Sequence, residues 1–199
     1  MEMMRFFMLG ILGDPNDDSL CVLDNFIEGI APHSWRVMRG APLAPHLPKD
    51  PRIYMDDDHP GIKLSSFIGN TSGMLIGTSE LKAVVETYCP QGVEYIPFTL
   101  YDHRKRIHSR DYFIINPLGT FDCLDTRASD ILWDDENPGT ILRVREPVLE
   151  RNKLKDAPPL FRIAHDPASY VLRVDLAREF KNRKFTNIWW TELTLSEGE

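Results

Sequence analysis

The stretch TSELKAVVETYCPQGVEYIPFTL, running from Thr78 to Leu100, decides the fold class. Thr78 offers a capping hydroxyl and Glu80 an early acid, and Leu81, Val84, Val85 and Tyr88 follow at helical spacing. Cys89-Pro90-Gln91-Gly92 then supplies both residue types that stop a helix. Beyond it Val93, Tyr95 and Pro97 alternate with Ile96, Phe98 and Leu100, which is the period of a strand, and Pro97 marks an edge or a bulge.

The same order returns about 95 residues later. Leu160 to Ala164 and Tyr170 to Val174 read as strands, Asp175 reads as the cap of a helix carrying Leu176, Ala177 and Phe180, and Phe185 to Leu195 reads as a closing strand. Setting Leu81 against Leu176 puts the two helix-to-strand units in register. Between them Tyr112 to Ile115, Phe121 to Leu124 and Ile131 to Trp133 have the spacing of an antiparallel meander.

Toward the N-terminus the pattern loosens. Met3 to Leu12, Leu20 to Phe26 and Trp35 to Met38 read as strands between turns, and four prolines from Pro42 to Pro51 make residues 40–52 an extended surface connection that excludes a helix. Short strands follow at Ile53-Tyr54, Leu64 to Ile68 and Met74 to Ile76. The expectation is an α+β protein with a mixed, mainly antiparallel sheet and few helices, divided into an irregular β-rich part (1–73) and an α+β part (74–199) that holds both helix-to-strand units.

Composition bounds the function. With 199 residues, 42% hydrophobic and 27% charged, the chain is globular, neither collagen-like nor wholly disordered. Its net charge of -7 argues against nucleic acid or an anionic membrane as the main partner and for a basic one. That charge is uneven: residues 1–60 hold ten acids and five bases, 61–140 eleven and seven, and 141–199 nine and eleven. An odd count of three cysteines without paired spacing points to reduced thiols, the apolar start is broken by Arg5 and lacks the features of a leader, and no run reaches a membrane span. A cytoplasmic protein is expected.

Catalytic signatures are missing. The six histidines make no His-Glu-x-x-His, the cysteines no Cys-x-x-Cys, and no Gly-x-Ser-x-Gly elbow occurs. Gly69 to Gly73 lacks the lysine of a phosphate loop, so no metal or cofactor is expected. What remains is charge and aromatic surface. Asp56, Asp57 and Asp58 form one acidic loop, Asp134, Asp135 and Glu136 a second, and of the adjacent Trp189 and Trp190, which must face opposite ways, one is free to anchor a partner.

The run Ser79 to Pro97, then Tyr112-Phe-Ile-Ile-Asn-Pro-Leu118 and Asp122-Cys-Leu-Asp125, then Leu160-Phe-Arg-Ile163, Val171 to Ala177 and Asn187-Ile-Trp-Trp-Thr-Glu192 resembles a bacterial immunity-protein family of polymorphic toxin systems, once catalogued as a domain of unknown function. The resemblance spans residues 74–193. It implies a non-enzymatic antitoxin that binds and neutralises a cognate toxin encoded nearby, a nuclease being a fitting class for so acidic a protein. The expected contacts are Asp56, Asp57, Asp58, Asp134, Asp135, Glu136 and Trp190. Two other readings stand beside it: a small hydrolase or transferase built on clustered Asp and His, and a nucleic-acid-binding regulatory module working through Arg104 to Arg110, which Tyr101 and Tyr112 flank.

Overall fold

A computed structural model describes residues 4–197. The chain opens with β1 (Phe6–Gly10) and β2 (Val22–Leu23), then passes through 3₁₀ turns at Ala31–His33 and Ala44–His46 on either side of a one-turn helix, α1 (Trp35–Met38). β3 (Arg52–Tyr54), β4 (Gly69–Asn70) and β5 (Ile76–Thr78) lead into α2 (Ser79–Tyr88) and the long hairpin of β6 (Val93–Tyr101) and β7 (Ile107–Pro117). The remainder holds β8 (Asp130–Trp133), β9 (Ile141–Glu146), β10 (Val148–Glu150), β11 (Leu160–Ile163), β12 (Asp166–Arg173), α3 (Val174–Asn182), β13 (Trp189–Glu192) and β14 (Thr194–Ser196).

Two four-stranded sheets carry the fold. One, in the order β11-β12-β1-β13, is antiparallel throughout, with the N-terminal strand inside it. The other, β3-β6-β7-β5, is antiparallel except where β3 runs parallel to β6. Short parallel pairs join β2 to β4 and β10 to β14, and β8 with β9 forms a separate antiparallel ribbon. The α+β class and the mainly antiparallel pairing are those the sequence predicts.

Period-two alternation sorts the core. Along β1, Phe6 and Met8 face a cluster with Phe161, Ile163 and Val171, while Phe7 and Leu9 face the opposite one. That second cluster is the middle of the molecule: Leu81, Val84 and Val85 of α2 and Leu176, Ala177 and Phe180 of α3 pack there against Leu172 and Ile115, one residue from each large sheet. Burial of each large aliphatic side chain there contributes about 1.5–3 kcal/mol. Leu81 and Leu176, matched by the sequence echo, are both fully buried in it. On β6, Ile96, Phe98 and Leu100 point into a third cluster and Pro97 is exposed, at a level of the strand that β3 does not reach.

The polar stitch between the sheets is Arg162. It is fully buried, and its guanidinium donates to the Pro117 carbonyl (3.0 Å), the Pro167 carbonyl (2.6 Å), Asn116 Oδ1 (3.1 Å) and the Tyr170 hydroxyl (2.8 Å). The Tyr170 hydroxyl in turn donates to the Gly73 carbonyl at 2.9 Å.

Several local expectations are corrected. Trp35 to Met38 is a helical turn, because Pro32 starts a series of i→i+3 bonds that runs through His33, Ser34 and Val37 and leaves Val37 buried with Trp35 exposed. The proline-rich segment holds a 3₁₀ turn with Pro45 in its first turn, where the missing amide costs nothing. It is pinned inward by Glu94, whose carboxylate accepts the Leu43 and Ala44 amides, and Leu43 is buried. Arg173 occupies the cap position of α3, and Asp175 lies in the first turn with both carboxylate oxygens held by the Arg173 guanidinium at 2.9 and 2.8 Å. The closing strand starts only at Trp189, since Lys184 and Asn187 adopt φ of 57° and 60°. Leu64 to Ile68 and Phe121 to Leu124 make single bridges, and the strand expected at Met74 to Ile76 is displaced to Ile76–Thr78. Met3, the first residue of the expected N-terminal strand, lies outside the described residues.

Candidate functional site

Two loops build an acid-lined cleft. After β1 the chain turns at Gly13 (φ 75°), and Asp14 Oδ1 accepts the Asn16 amide at 2.9 Å while Asp17 Oδ1 accepts that of Ser19 at 3.1 Å. In the second loop Asp56 gathers the amides of Asp24, Asp58 and His59 at 3.1–3.3 Å. Gly61 lets the loops meet, because a Cβ there would lie 2.1 Å from the Leu20 carbonyl oxygen. Between them lies a cleft of about 510 Å³, with Asp14, Asp17 and Asp18 on one wall and Asp58 and His59 on the other.

The cleft continues into a groove of about 360 Å³ that shares Asp14, Asp17 and Leu20 and runs on to Lys63, Leu64 and Trp189. Asn187 fixes this end. Its Oδ1 accepts the Asp14 amide at 2.7 Å and its Nδ2 donates to the Phe67 carbonyl at 2.9 Å, tying the β1 loop to the start of β13. Trp189 is 53% exposed and Leu12 63%, so the rim is apolar where the cleft is charged. Hydrogen bonds from Ser19 and Lys63 hold the Asp17 carboxyl below its ordinary range. Asp18 and Asp58 have neither a side-chain hydrogen bond nor an ion pair among the described residues.

The model of the immunity protein family (Imm11) matches residues 6–194, nearly the whole described chain. The chain belongs to the Imm11 immunity protein family. No curated protein matches it. The match extends the resemblance seen in the sequence, which began at residue 74, to include β1 and the acid-lined loops.

Much of what carried that resemblance in this Imm11 member is structural. Asn116, Pro117 and Arg162, all in the matching runs, form the buried stitch between the sheets. The residues expected to meet a partner are scattered. Asp56 faces inward to hold its own loop, Asp57 is fully exposed with Oδ1 3.9 Å from His103 Nδ1, and Asp58 lines the cleft. Asp134 accepts the Glu136 and Asn137 amides and so shapes the β8–β9 turn, where Asp135 and Glu136 are exposed; none of these three lines the cleft or the groove. Trp190 packs edge-on against Phe7 with ring centres 6.4 Å apart, and Trp189 is the exposed member of the pair.

Asp14, Asp17 and Asp18, which line the cleft, are not among the residues expected from the sequence, and of the tryptophan pair it is Trp189 that lines the groove. These three aspartates stand in the turn Asp14-Pro-Asn-Asp-Asp18 and read as turn chemistry alone. Trp189 is the outward member of its pair because β13 pairs with β1, and the residue that packs on Phe7 leaves its neighbour outside.

The features of the two other readings are also placed. His59 meets the cleft aspartates, but the Asp17 carboxyl there is held below its ordinary range, opposite to what a general acid needs. Among the described residues no three His, Cys, Asp or Glu side chains are grouped to hold a metal ion. In the basic turn Arg106 is taken up by Asp102, which accepts from its Nε and Nη2 at 3.0 and 2.9 Å. Tyr112 is buried and donates to the Ser65 carbonyl at 2.6 Å, so it is no stacking platform. No helix among the described residues is long and apolar enough to cross a membrane.

Proposed function

We propose that this Imm11 member is an antitoxin that binds its cognate bacterial toxin one to one, in the cytoplasm of the cell that makes both, and so blocks the toxin's activity. Family membership over residues 6–194 is the observation that carries this reading. The exposed carboxylates support a basic partner. Those of the cleft and of Asp57 cluster on the loops around residues 14–18 and 56–59, and the net charge is -7. A nuclease fits, since its own site must attract phosphates, and an acidic face both speeds encounter with such a site and covers it.

The test is growth. The toxin encoded beside this gene is induced in a susceptible host with and without this chain. Rescue by the intact chain is the expected result; continued killing at equal expression overturns the proposal.

A further inference from the structure

We infer that the groove between Asp58 and Trp189 docks a partner segment carrying a lysine or arginine next to an apolar side chain. The inference rests on the antitoxin reading and names the chemistry its partner must present.

The apolar element comes first. Leu12, Leu64 and Trp189 are exposed at 63%, 36% and 53%, and the last two line the same groove. Trp189 projects from β13, an edge of its sheet, and a large aromatic on a rigid strand is the kind of side chain that dominates interface energetics. Its mounting is rigid as well. The Asn187 clip and the close approach at Gly61 fix both walls before any partner arrives, so little ordering cost falls on binding.

Charge then selects the occupant. Of the four aspartates around the cleft, Asp17 is already paired with Lys63 at 3.0 Å, whereas Asp18 and Asp58 are uncommitted. Among the described residues Lys63 and His59 are the only basic side chains that line either hollow. An apolar surface bordered by unpaired carboxylates favours a cationic side chain with an apolar neighbour and repels an acidic segment. The β8–β9 ribbon also exposes apolar residues, Leu132, Trp133 and Leu142, but it carries Arg143 and Arg145 beside its acids and selects no single sign.

The probe is the toxin encoded beside this gene, in a catalytically inactive form, titrated calorimetrically into the full chain at low and high salt. Trp189→Ala is expected to weaken binding about thirtyfold or more. Asp18→Asn with Asp58→Asn is expected to weaken it about tenfold at low salt and to flatten the salt dependence. Asp18→Lys with Asp58→Lys is expected to abolish it, and Trp133→Ala to leave it within about twofold. Among the described residues none of these side chains makes a hydrogen bond, so the aspartate variants should melt with the parent, while Trp189→Ala and Trp133→Ala give up partly buried ring surface and should melt lower but still in one cooperative transition. If the parent chain binds and the groove variants bind equally well, or only Trp133→Ala weakens the complex, the groove assignment is wrong and the antitoxin reading survives. If the parent chain does not bind, both fail.

Discussion

Asn187 and Asp14, 173 positions apart in the chain, are joined by one hydrogen bond: the Asp14 amide donates to Asn187 Oδ1 at 2.7 Å. The same side chain donates to the Phe67 carbonyl, and its backbone sits at φ 60°, a conformation asparagine tolerates better than most residues. Three segments distant in sequence therefore meet at one amide group on the rim of the cleft. Asn187→Ala removes both bonds and puts an alanine in the left-handed region, at a cost of about 2–3 kcal/mol. For a chain of this size that is a fall of roughly 5–10 °C in melting temperature. Asn187→Gly, which keeps the backbone conformation free of strain, should fall less. Equal melting of parent and alanine variant by circular dichroism would argue that the clip has no structural weight.

Arg162 is the second test of the architecture. Its guanidinium is buried without a carboxylate among the described residues, and burial lowers its pKa while the charge interaction with Tyr170 and the hydrogen bond to its hydroxyl at 2.8 Å partly offset that. Arg162→Met would strand Asn116 Oδ1 and the Pro117 and Pro167 carbonyls, costing about 3 kcal/mol or more. Arg162→Lys cannot span the same acceptors and should recover only part of it. A urea midpoint unchanged in the methionine variant would contradict the stitch.

What the sequence could and could not convey follows from these contacts. Helix α2 was legible because its cap, its apolar spacing and its proline stop all lie between Thr78 and Pro90, and Thr78 Oγ1 does accept the Leu81 amide. Partners such as Phe6 with Arg173, or Arg52 with Thr99, are set by tertiary packing that no local pattern encodes. The candidate site suffered most. Asp14, Asp18 and Asp58 are ordinary turn residues until Gly61 and Asn187 fold their loops together, and the choice between Trp189 and Trp190 depended on knowing that β13 lies beside Phe7.

Acid should loosen the N-terminal segment before it affects the carboxylates. Ala31-Pro-His33 and Ala44-Pro-His46 form matching 3₁₀ turns, and the two imidazoles stack with centres 4.0 Å apart. Burial first, and then His33 and Arg36, hold the His46 pKa below its ordinary value of 6.5. The unfolded chain then binds the proton more readily than the folded one. Stability is therefore complete above about pH 6.5 and declines as the pH falls through that value toward the lowered folded pKa. Melting followed from pH 7.5 to 5 should show this decline, and His46→Gln should flatten it. A parent profile that is already flat there would contradict the account.

The cysteines should be inert. Cys21, Cys89 and Cys123 are buried and unpaired, and burial pushes the thiols of Cys21 and Cys123 up to about 12. A thiol reagent at pH 8 should label none of the three in the native protein and all of them after unfolding. Rapid native labelling of any one would show that its element opens far more readily than its burial implies.

The most direct measurement of the central claim is a titration of toxin activity. Increasing amounts of this chain are added to a fixed concentration of the active toxin encoded beside its gene, well above their dissociation constant, and the remaining activity is read. Stoichiometric neutralisation predicts a straight decline that reaches zero at one equivalent. Activity that persists beyond several equivalents, or that disappears with a small fraction of one as a catalytic inactivator would achieve, would contradict it.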